Sequence, residues 1–179
     1  MKKTLIALSA LLFSYGALAQ KAVTRSGEIK FEASMPALEE VAATNNTVSA
    51  VLDKSTGDIA FLVLVKGFKF KVPLMEEHFN ENYMESDKYP KATFKGKIIG
   101  FDKNATTEKT YDVEGDLTIH NVTKKVKQKI TLKPSGKDTG ATFAFSVKPQ
   151  DYNIAIPALV KSKIAENVKV NGKFMLAEK

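Results

Sequence analysis

The stretch IAFLVLVKGFKFKV, residues 59–72, alternates apolar side chains in two phases. Phe61, Val63 and Val65 share one parity, Phe68, Phe70 and Val72 share the other, and Gly67 stands at the switch. Side chains along a strand point to opposite faces, so each half predicts a strand with one buried face. A glycine where the phase changes marks a bulge or sharp bend, and closed barrels use such bends to turn strands around corners. The run therefore predicts a curved, closing sheet.

The same period of two recurs in both directions. Upstream, EIKFEASM (28–35) and NTVSAVLD (46–53) alternate, and DKSTGD (53–58) supplies turn residues. Between them, ALEEVAATN (37–45) predicts a short helical excursion. Downstream come KATFKGKIIGF (91–101), KTYDVEGDLTIH (109–120), KKVKQKITLK (124–133), ATFAFSVK (141–148) and NVKVNGKFML (167–176). With 59–72 that makes eight strands in one domain over residues 20–179. Eight antiparallel strands close into a barrel, which removes exposed edges and leaves an interior either filled or able to hold one small ligand. Ala92, Gly96, Gly100, Gly115 and Gly172 fit either interior: space for a ligand, or bends and close strand contacts.

One segment departs from the pattern. In LMEEHFNENYM (74–84), Met75, Phe79 and Tyr83 recur at i, i+4, i+8 among acidic and amide residues. This predicts an amphipathic helix of about three turns whose apolar stripe covers one end of the barrel. Ser86, Asp87 and Pro90 then return the chain to extended form.

The first 19 residues, MKKTLIALSALLFSYGALA, carry Lys2 and Lys3 before an apolar run that closes on Ala17-Leu18-Ala19. This predicts a secretory signal peptide (1–19) cleaved after Ala19, and hence a periplasmic or secreted protein with no membrane span. The chain has no cysteine, which excludes disulfides, thiolate metal sites and cysteine nucleophiles. Without Lys2 and Lys3 the formal charge falls from +7 to +5. The lysines mostly lie within alternating runs such as KGFKFKV (66–72), as solvated strand faces do. One Arg and no Trp speak against nucleic-acid binding.

His78 with Glu81 or Asn82, one helical turn apart, offers part of a metal-ligand set, but a solvated helix surface is the simpler account. His120 follows the inward Ile119, and Asn121 suits the positive φ of a tight hairpin turn. His120 is thus expected at the rim, hydrogen-bonded beside a turn or touching a ligand head group. No nucleophile elbow, phosphate loop or hydrolytic carboxylate pair is present.

Two passages, HFNENYMESDKYPKATFKGKI (78–98) and YDVEGDLTIHNVTKKV (111–126), resemble the YceI-like family of secreted bacterial proteins. The second carries the form G-x-L-T-x-H-x-V-T-K, with Asn121 where that family usually has Gly. The resemblance implies a lipocalin-like, extended eight-stranded antiparallel β-barrel, all-β apart from the short helix. It implies binding of a polyisoprenoid or fatty-acyl chain without catalysis, cofactor or metal. Phe61, Val63, Phe94, Ile98, Leu117, Ile119, Phe143 and Phe145 become its lining candidates. His78, His120 and Tyr152, with Lys161 and Lys163, become candidates for the head group. The rival readings are a solid barrel that binds an envelope protein, and a metal-assisted hydrolase using His78, Glu81 and His120. A homodimer is left open.

Overall fold

The computed structural model describes residues 20–35 and 39–179, so the predicted signal peptide lies outside the described residues. The strands are β1 (Lys21–Ser34), β2 (Ala42–Asp53), β3 (Asp58–Leu64), β4 (Lys69–Phe70), β5 (Lys91–Ile98), β6 (Lys109–Ile119), β7 (Val122–Ser135), β8 (Asp138–Val147) and β9 (Ile164–Glu178). Every pairing is antiparallel. The order β1-β9-β8-β7-β6-β5-β3-β2, with β2 pairing back to β1, closes an eight-stranded barrel, and the two-residue β4 pairs with the start of β2.

The bend predicted at Gly67 is a one-turn 3₁₀ segment, Val65–Gly67, that separates β3 from β4. Its cause is Asn45, which has no exposed surface. The Asn45 amide donates to the Leu64 carbonyl at 2.9 Å, and its oxygen accepts the Thr47 N–H at 2.9 Å. A Cβ on Gly67 would stand 2.5 Å from the Asn45 Nδ2, so only glycine fits beside this amide.

The helix begins at Pro73 and runs to His78 as α1, then widens into a π-turn over Phe79–Tyr83. Met75, Phe79 and Tyr83 are half-buried while Glu77 and Glu81 are exposed, as the apolar stripe requires. No helix forms at the end of ALEEVAATN: Ala42–Asn45 belong to β2, where Ala43 pairs with Phe31, and residues 39–41 are irregular. Strand pairing with β1 outweighs the helical preference of a short alanine- and glutamate-rich run.

The barrel is packed at one end. Ala22, Leu52, Ile59, Ile98, Tyr111, Leu132, Ala141 and Leu176 fill it, each at most 5% exposed. Each large side chain buried here contributes about 1.5–3 kcal/mol. The glycines serve as seats for rings: a Cβ on Gly172 would lie 2.3 Å from the Phe143 ring, and one on Gly96 2.5 Å from that of Phe94. Gly115 likewise marks close approach, where a Cβ would stand 2.3 Å from the Lys95 carbonyl, whereas Gly100 sits in a turn at φ 65° with open space around it, and Ala92 alone of the five small residues faces the space inside.

Candidate functional site

In the other half of the barrel the inward side chains leave space between them and enclose a cavity of about 550 Å³. Phe61 and Val63 of β3, Phe94 of β5, Leu117 and Ile119 of β6, and Phe143 and Phe145 of β8 form its wall. The structure thus brings together seven of the eight residues expected to line an interior site. The eighth, Ile98, does not reach the cavity, since it is 1% exposed in the packed end. Parity placed it correctly on the inner face, but its height along the barrel put it below the cavity floor.

Further wall residues come from outside the eight lining candidates. Phe31 of β1 stacks on Phe79 at 5.3 Å, joining the strand wall to the helical cap. Met75, Phe79, Tyr83 and Met84 form part of the lid. Their helical spacing was visible, but the barrel end they cover is a tertiary fact. Tyr152, Ile154 and Ile156 line the cavity from the segment joining β8 to β9.

Tyr152 therefore does not stand at the rim. It is 4% exposed, its ring packs among Val65, Met84, Leu117 and Ile154, and burial raises its phenol above the ordinary value of 10.0. His120, unlike Tyr152, does not line the cavity. Its Nδ1 lies 3.2 Å from the Tyr152 carbonyl and its Nε2 3.0 Å from the Glu85 carboxylate, with Tyr89 edge-on at 4.3 Å. The ring ties three connections together: the β6–β7 turn, the segment after the helix and the segment carrying Tyr152. His120 (φ 49°) and Asn121 (φ 60°) both take left-handed backbone, the two-residue turn expected between Ile119 and Val122.

His78 is exposed and lies along the cavity boundary, as do Glu39 and Lys163, so the apolar interior has a charged mouth. Lys161 is exposed and does not border it. Among the described residues, no three His, Asp or Glu side chains come together as a metal-holding cluster. No described helix is long and apolar enough to cross a membrane.

A family model for the YceI-like domain matches residues 20–176. The chain belongs to the YceI-like domain family. A UPF0312 protein of Pseudomonas putida strain W619 is 32% identical over 97 residues, which is 51% of this chain and 48% of the relative. Another from Pseudomonas savastanoi pv. phaseolicola is 41% identical over 59 residues, covering 33% and 29% of the two chains. The chain spans about half the length of the first of these curated relatives. Among solved structures, a polyisoprenoid binding domain from Saccharophagus degradans superposes with a TM-score of 0.77 at 13% identity, over 90% of this chain and 99% of that one. BcnA of Burkholderia cenocepacia gives 0.70 at 18% identity, over 84% and 96%. These likenesses establish the YceI-like barrel as the shared fold.

Proposed function

We propose that this YceI-like barrel binds the chain of an amphiphilic lipid, polyisoprenoid or fatty-acyl, in its cavity, with the head group at the mouth near His78 and Lys163. The observation that carries the reading is the cavity itself, about 550 Å³ walled by Phe, Val, Leu and Ile side chains. Pockets of this size and character suit a small apolar ligand. Burying ten methylene-sized groups contributes about 8 kcal/mol before the costs of immobilisation. A polyisoprenoid is favoured by the fold shared with the Saccharophagus degradans domain, whose name records that ligand class.

Binding without catalysis is the reading that the YceI-like family and its polyisoprenoid binding structural relative support. The predicted signal peptide makes a periplasmic carrier, store or sensor the matching role.

The test is to purify the protein without denaturation from its secretory compartment, extract it with organic solvent, and identify co-purifying molecules by mass spectrometry. A stoichiometric isoprenoid or acyl lipid is expected. Clean protein that takes up nothing from a lipid extract would overturn the reading.

A further inference from the structure

The cavity wall has a break. The β7–β8 ladder pairs Ser135 with Asp138 through to Thr131 with Thr142 and ends there. Beyond it β7 continues to Val122, paired only with β6, and β8 continues to Val147, paired only with β9. Exposure follows the break. Where the strands are paired, Leu132 is 5% exposed and Ala141 0%; past the ladder Ile130 is still buried at 1%, and beyond it inward-facing Val126, Gln128, Phe143, Phe145 and Val147 are all partly exposed. Here the side chains line a slit.

An ion pair between Lys124 of β7 and Asp151 after β8, at 3.3 Å, closes the slit at its upper end, and the slit lies between that pair and the Thr131–Thr142 rung. Lys125 pairs with Asp116, Lys127 with Glu114 at 3.0 Å, and Lys129 with Asp112 at 3.1 Å, so all three ammonium groups lean towards β6. On the facing bank, the outward positions of β8 are Thr142, Ala144 and Ser146. The break on the opposite side of the barrel, where β3 leaves β2, is filled by β4 and the Asn45 amide. An unpaired edge is a liability that proteins normally cover.

The volume gives the slit a use. A cavity of about 550 Å³ takes a short apolar chain. A chain too long for it needs a second opening, and the slit offers banks that are apolar except for Gln128. We propose that the β7–β8 slit is a side exit for the tail of the ligand, so that the barrel takes polyprenyl chains much longer than its cavity. The proposal rests on the lipid-binding reading and gives it a chain-length range.

A bar across the slit tests it. Lys127→Cys and Ser146→Cys stand at the rung the register would place opposite each other, outside the cavity, in a chain with no other cysteine. The two thiols are joined with a short bismaleimide, and a control is capped with a monofunctional maleimide. Binding of farnesyl phosphate and undecaprenyl phosphate is then measured by tryptophan-independent displacement of a fluorescent acyl probe, cis-parinaric acid. The bridged protein is expected to keep farnesyl phosphate within about twofold and to lose undecaprenyl phosphate by about tenfold or more, while the control keeps both. Equal undecaprenyl affinity in bridged and control protein would overturn the side exit and leave the lipid-binding reading standing. Failure of the unbridged protein to bind either phosphate or the probe would overturn both.

Discussion

Asn45 shows how one buried amide shapes the barrel. It satisfies the Leu64 carbonyl just where β3 leaves the β2 ladder, and it accepts the Thr47 N–H and hydroxyl. Asn45→Ala leaves that carbonyl unpaired, and a loss of about 1–3 kcal/mol is expected, read as a lower urea midpoint at unchanged slope. Phe143 poses the opposite case. Its ring is half-buried on the cavity wall, over Gly172 and 5.4 Å from Phe61. Phe143→Ala widens a space that already exists, so it is expected to cost less than Leu176→Ala in the packed end, where about 2–5 kcal/mol is lost. Comparing the two urea midpoints checks this, and Phe143→Ala alone should alter lipid uptake. At this scale the alternation of Phe61, Val63, Phe143 and Phe145 was readable, because strand parity assigns a face without knowledge of neighbours. The fate of Tyr152 and His120 was not, because both are held by residues more than 30 positions away or by packing from several segments.

Among the elements, the helical lid has its own acid-sensitive tether. The Glu76 carboxylate pairs with Lys69 and accepts the Phe70 N–H at 3.2 Å, joining α1 to β4. The Lys69 ammonium holds the Glu76 carboxyl below its ordinary value of 4.5; burial opposes this and the Phe70 N–H reinforces it. A carboxyl whose folded value is depressed stabilises fully above its unfolded value, and the contribution disappears as pH falls through the folded one. Hydrogen-exchange protection across Phe70–Met84 is therefore expected to decline as the pH falls below the ordinary carboxyl value of 4.5 and through the lower folded one. In Glu76→Gln that step should be absent and protection at neutral pH lower. The sequence announced this helix by its Met75, Phe79, Tyr83 spacing but not its π-turn, which follows from seating Phe79 against Phe31, Phe68 and Phe70 at once.

For the whole molecule, a barrel packed at one end and hollow at the other is stabilised by whatever fills the hollow. A ligand that binds only the folded state adds about 2.7 kcal/mol at a hundredfold excess over its Kd, so thermal unfolding of extracted protein should shift upward on adding undecaprenyl phosphate. A soluble phosphate salt at the same concentration should not produce the shift, since the burial energy resides in the chain. No upward shift with any isoprenoid or acyl lipid would count against the cavity as a binding site. By itself the sequence determined the strands, the bend at Gly67, the turn at Asn121, the inner face and the family, because these follow from residue period, backbone freedom and local motif. Only the tertiary structure decided that the interior is half full, that Ile98 lies below the cavity and that β7 and β8 part above Thr131. Those outcomes depend on height along the barrel and on how far each ladder extends, and both are set by pairing between distant segments.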